Sequence, residues 1–162
     1  MAAEPQILDE LRRLRSRMPQ LNGALAASVD GLVLAHDTPG IEPDHVAALT
    51  AAALGVAVRM ADATGRGDLR ELLVRGASGY VATYAAGRTA VLTLLAEDRV
   101  NVGRLHLEGR RAGARIGELV DAEIAARAAA AESVAVRPAP TRTRTTRASR
   151  TTATNARTTT DS

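Results

Sequence analysis

The side chains that could do chemistry in this chain are few and scattered. Its three histidines, His36, His45 and His106, fall on different expected elements, and no His-x-x-x-His or similar ligand spacing occurs. Isolated histidines of this kind point to surface or capping roles. There is no cysteine, which excludes disulfides, thiolate metal sites and cysteine nucleophiles and fits a reducing, cytoplasmic compartment. The run Gly65-Arg66-Gly67-Asp68 has neither a Walker nor a dinucleotide pattern, and it leads into an expected strand rather than a helix. Gly76-Ala77-Ser78-Gly79 is one residue short of a nucleophile elbow and falls in an expected hairpin. Glu97 and Asp98 are adjacent carboxylates in a strand-to-helix connection, where they favour the positive end of the next helix. No catalytic residue, cofactor or metal site is expected, and the chain reads as a protein that is not an enzyme.

The informative stretch is apolar. Between residues 46 and 61 only Thr50 and Arg59 carry side chains that are not apolar, and Gly55 has none. At 3.6 residues per turn this is a helix with two apolar faces, where a surface helix needs one. Val46, Leu49, Ala53, Val56 and Met60 form the first face. Ala47, Ala51, Leu54, Val58 and Ala61 form the second, about 100° further round. One face can cover the chain's own sheet, and the other then needs a second molecule. The small residues of the second face suit close helix–helix approach, so the expected dimer or partner interface is Ala47, Ala51, Leu54, Val58, Arg59 and Ala61. Left exposed, Leu54 and Val58 would forgo roughly 1.5–3 kcal/mol of burial each. The run is short for a bilayer, rich in alanine and interrupted by Arg59, which argues against a transmembrane span.

Charge divides the 162 residues in two. Residues 133–162 hold six arginines and one acid, while residues 1–132 hold 15 arginines and 17 acids. The formal charge of +3 is therefore the tail's, and the body has no nucleic-acid footprint. Residues 1–131 are expected to form one domain with a core of Leu, Val, Ala and Ile. The chain has no Phe or Trp, and only Tyr80 and Tyr84 as aromatics. Residues 132–162 are expected to be a disordered, Arg/Thr-rich basic tail, because they cannot bury enough surface to offset their ordering entropy. Three uses of the tail are open: a solvated extension, a salt-sensitive attachment to nucleic acid or anionic membrane, or a phosphorylation segment around Thr145, Thr146, Ser149 and Thr151. The N-terminal Met-Ala-Ala-Glu-Pro turns charged and amphipathic, unlike a signal peptide.

The elements follow from periodicity. Ile7, Leu8, Leu11, Leu14 and Met18 predict a helix over 6–18 that ends at Pro19. Two short apolar runs, 24–29 and 32–35, flank Asp30-Gly31, a two-residue hairpin signal. Asp44 is the expected N-cap of the double-faced helix, which should fray near Gly65. Strands are expected over 69–75, 80–85 and 89–95, then a last helix over 101–131. Gly103, Gly109, Gly113 and Gly117 weaken that helix or let it approach a sheet closely; the sequence leaves both readings open. The order α-β-β-α-β-β-β-α is an α+β fold, a five-stranded antiparallel sheet sandwiched by helices.

Taken together, the chain resembles the Roadblock/dynein light chain family over about residues 6–125. The element order carries the resemblance, with the hairpin Ser28-Val-Asp30-Gly31-Leu-Val-Leu-Ala35 and the strand pair of residues 79–96 turning at Gly87, followed by a helix bearing Gly103. The likeness is to bacterial members, often found with small Ras-like GTPases and, in some gene clusters, sensor-kinase-like proteins. It implies a Roadblock/profilin-like layered fold and a homodimer in which the second helices pair and edge strands join into one ten-stranded sheet. It also implies a non-enzymatic platform on which a small Ras-like GTPase docks within a signalling complex, with stimulation of GTP hydrolysis as one form of its action. On such a platform Arg59 either lays its stem along the rim of the interface or meets an acidic partner or phosphate, even as an arginine finger. The lack of Phe and Trp and the long tail depart from the family. The alternative function is an adaptor held to nucleic acid or anionic membrane by that tail; a small-ligand sensor would need a buried polar pocket.

Overall fold

The computed structural model describes residues 3–135. It contains α1 (Glu4–Arg17), β1 (Leu21–Ser28), β2 (Val33–Asp37), α2 (Pro43–Ala63), β3 (Glu71–Gly76), β4 (Gly79–Ala86), β5 (Ala90–Glu97) and α3 (Val102–Ala135). The five strands form one antiparallel sheet in the order β2-β1-β5-β4-β3. The α+β architecture expected from the sequence is the one observed.

Strand alternation gives this sheet two unlike faces. Leu92 pairs with Ala26 and Tyr84, and Leu94 with Ala24 and Ala82, so these side chains share one face. The helices α1 and α3 close over it. Ile7, Leu11 and Leu14 of α1, with Leu105, Ala112 and Ile116 of α3, are fully buried there in the main core. Glu10 is buried between the two helices and is ion-paired to Arg115 at 3.4 Å and Arg17 at 3.6 Å. A 2.6 Å salt bridge from Arg15 to Asp37 ties α1 to edge strand β2.

The glycines of α3 let it sit low on the sheet. A Cβ at Gly109 would strike the Tyr84 ring, one at Gly113 would meet the Ala85 carbonyl oxygen at 2.6 Å, and one at Gly117 would strike the Gly87 backbone. Close approach is therefore the reading that holds for these three, whereas Gly103 meets only Asn101, at an ordinary 3.4 Å.

The other face presents Leu25, Ala27, Val91, Thr93 and Thr83, and among the described residues only α2 lies over it. By length and composition α2 would pass for a membrane span. Here it connects β2 to β3 of one sheet and buries Ala47 and Thr50 on it.

Three local expectations differ from the structure. The β1–β2 hairpin forms, but four residues link its strands and its register shifts after Ala26. Gly31, at φ 87°, supplies the turn, and the Ser28 Oγ accepts the Leu32 N–H at 3.1 Å. Asp44 lies inside the first turn of α2; the N-cap is Glu42 and Pro43 takes the first helical position, where its missing N–H costs nothing. The last helix continues through Ala135, so residues 132–135 are helical, and the rest of the expected tail lies outside the described residues.

Candidate interaction surface

The two apolar faces of α2 are real, and the side laid on the sheet is built mostly from residues expected to meet a partner, joined by Val46 of the first face. Ala47 is 1% exposed and packs with Leu25, Ala27 and Val91, with Leu54 against the same cluster. Ala51 and Ala61 are half-buried. Only Val58 and Arg59 of the expected interface are exposed. The most exposed large side chains belong to the first face, Leu49 at 57%, Val56 at 60% and Met60 at 64%, while Val58 of the second face is 43% exposed. The physical reason is size. Ala47 and Ala51 bring the helix close to the Gly31 turn, where even a Cβ on the glycine would lie 3.3 Å from them. Small residues suit close approach to a sheet as well as to another helix. Thr50 completes the seat. Its Oγ1 lies 3.4 Å from that of Thr93, which lies 3.3 Å from that of Thr83, a buried hydroxyl chain from helix to central strands.

On both flanks α2 leaves sheet uncovered. One flank is an apolar groove of about 220 Å³, between Val46, Leu49 and Ala53 of the helix and Leu72, Val74, Val81 and Leu95 of the strands. It runs into the exposed Leu49–Val56–Met60 face. Beside it lies β3, which among the described residues pairs only with β4 and forms the sheet's edge. Leu73 and Val74 on this strand are exposed, with no proline or bulge to blunt the edge. The other flank is a larger groove of about 430 Å³ between the C-terminal half of α2 and the β4–β5 end of the sheet.

Side-chain bonds hold the edge strand in place from the opposite face. Glu71 of β3 accepts two bonds from Arg110 of α3, at 2.8 and 2.9 Å. The Arg110 bonds, with the nearby charges of His106, Arg110 and Arg70, hold the Glu71 carboxyl below the usual carboxylate range, outweighing its partial burial. His106 lies 3.6 Å from Glu71, and its Nδ1 is 3.1 Å from the Tyr84 hydroxyl, which burial pushes above the ordinary tyrosine pKa. His106 is thus a half-buried member of an edge-anchoring network rather than a surface histidine. His36 Nδ1 lies 3.2 Å from the Thr38 hydroxyl, and His45 is exposed. Among the described residues no group of three or more His, Asp or Glu side chains could hold a metal.

Comparison with known proteins agrees with the fold. A family model described as the Roadblock/LC7 domain matches residues 7–96. Two uncharacterized proteins of Methanocaldococcus jannaschii are each 32% identical over 97 residues, covering 59% of this chain and 84% of theirs. The gliding protein MglB from Thermus thermophilus shares the fold with a TM-score of 0.68 at 21% identity, over 75% of this chain and 93% of that one. An MglB solved in a tetrameric arrangement gives a TM-score of 0.69 at 21% identity, over 75% of this chain and 92% of that one. A Roadblock/LC7 domain from Streptomyces avermitilis gives 0.65 at 24% identity, over 70% and 96%.

Proposed function

This chain belongs to the Roadblock/LC7 family, and on that premise we propose that it acts as a homodimeric, non-enzymatic platform for a small Ras-like GTPase in the cytoplasm. The observation that carries the reading is the uncovered flank of α2. Leu49 lines the apolar groove over β3 and β4, Val56 and Met60 continue the same exposed face of α2, and the outer edge of β3 lies alongside. A second copy related by a two-fold axis would cover all three at once. The β3 strands would pair antiparallel into a ten-stranded sheet, and the α2 helices would meet side by side in an isologous contact. Burying three side chains that are now more than half exposed would contribute on the order of 1 kcal/mol or more each. That MglB is found in a tetrameric arrangement supports the use of this fold for self-assembly.

Support for the GTPase comes from the family likeness. In this reading the activity is contact, and any effect on hydrolysis arises by orienting the GTPase's own residues. The test is binding of Ras-like GTPases from the same host, loaded with a non-hydrolysable GTP analogue or with GDP, to the immobilised full chain. The reading expects at least one to bind in a nucleotide-dependent way, and Met60→Glu to weaken it through loss of the dimer. Failure of every such GTPase to bind in either nucleotide state contradicts it. Sensor-kinase-like proteins are the next partner class to assay.

A further inference from the structure

The larger groove lies on the flank of α2 opposite the proposed dimer face, and its chemistry differs. Its walls are Val29, Leu54, Val58 and Val91. Around it stand three exposed arginines from three separate elements: Arg59 on α2, Arg70 just before β3, and Arg88 in the β4–β5 turn. None of the three is in a salt bridge among the described residues. The acid lining the groove, Glu71, is already held by two bonds from Arg110. The groove is therefore cationic on a body whose residues 1–132 carry more acids than bases.

We propose that this groove binds an acidic peptide segment of a partner protein, with an apolar anchor side chain seated against Leu54, Val58 and Val91 and flanking carboxylates on Arg59, Arg70 and Arg88. Exposed guanidiniums around an apolar trough match carboxylates on either side of an apolar residue. Three arginines spread over three elements suit a ligand with several separated charges better than a single carboxylate. The chain's own tail is an unsuitable occupant, because its six arginines and single acid repeat the sign of the rim. The site is separate from the groove of the proposed dimer face, since the α2 residues lining the two grooves are different.

The test uses the full chain and a synthetic peptide, acetyl-Glu-Glu-Leu-Glu-Glu-amide, with a lysine-for-glutamate version as control. Methyl NMR should show the acidic peptide shifting Leu54, Val58 and Val91, and the control peptide leaving them unmoved. Arg59→Glu with Arg88→Glu, both at exposed positions, should weaken binding about tenfold or more while leaving the sedimentation of the protein unchanged. Binding should also fall as salt rises, because the rim is open to solvent. Three results would overturn the proposal: no methyl shifts, affinity equal in the charge-reversed variant, or association only with phosphatidylglycerol vesicles and not with the peptide.

Discussion

The two faces of one sheet differ in whether the chain can close them. On the α1/α3 side, Ile7, Leu11, Leu14, Leu92, Leu94, Leu105 and Ile116 have no exposed surface at all. On the α2 side the enclosed cluster is only Leu25, Ala27, Ala47 and Val91, while Leu49, Val56 and Met60 face solvent. Both sides are built mainly from aliphatic residues, with Tyr84 added on the first and the buried Thr50, Thr83 and Thr93 on the second. Two helices cover the first face, and glycines let one of them sink onto it. A single helix crosses the second and leaves a groove on either flank. The first face makes the domain stable, and the second leaves surface for other molecules.

The contrast breaks most visibly under truncation. Leu92→Ala or Leu105→Ala should cost about 2–5 kcal/mol, because a sealed core cannot collapse into the cavity. Val56→Ala should change the stability of the isolated subunit by less than about 0.5 kcal/mol. Urea unfolding at low protein concentration measures both, and equal costs would abolish the distinction between the faces.

A charge on α2 sharpens the comparison. Leu54→Glu should destabilise the subunit itself by about 1–3 kcal/mol, since Leu54 packs on the chain's own sheet. Val56→Glu should leave subunit folding intact by circular dichroism yet weaken self-association. If Leu54→Glu proved the one that is well folded and only dissociated, the assignment of Leu54 to the sheet side of α2 would be wrong.

The hydroxyl chain under α2 should matter less. Thr50→Val removes one buried partner of Thr93, and a loss of about 1 kcal/mol in urea unfolding is expected.

The smallest effect is at the edge strand. Glu71 has a depressed folded-state pKa, so its contribution is fully present above the ordinary carboxylate value and is lost as pH falls through the folded value. Its partner Arg110 is exposed, and solvent screening keeps the contribution of the pair small. Glu71→Gln should therefore lower stability slightly at pH 7, and the difference from wild type should vanish in acid. A gap that persisted at low pH would show that the glutamine acts by some route other than the lost charge.

Much of this was legible in the residues. Aliphatic spacing located every helix and strand to within a few positions, and the excess of apolar faces on α2 identified where an unsatisfied surface must lie. Which face it was could not be read, because alanine permits close approach to a sheet and to a helix alike, and only the Gly31 turn decides between them. The glycines at 109, 113 and 117 carried a signal of close packing, but its target, Tyr84 and the β4–β5 turn, is distant in sequence. The Tyr84–His106–Glu71–Arg110 network and the ring of Arg59, Arg70 and Arg88 are assembled only by the fold, from residues with no local pattern. Arg59 alone drew notice, as the single charge in an apolar run.

Sedimentation velocity of the full chain at micromolar concentration, beside Val56→Glu, decides whether the uncovered flank of α2 is a dimer face. The expected result is a wild-type particle of twice the 16.9 kDa chain mass and a folded single subunit for the variant. A wild type that sediments as a stable monomer, or a variant that stays dimeric, would contradict it.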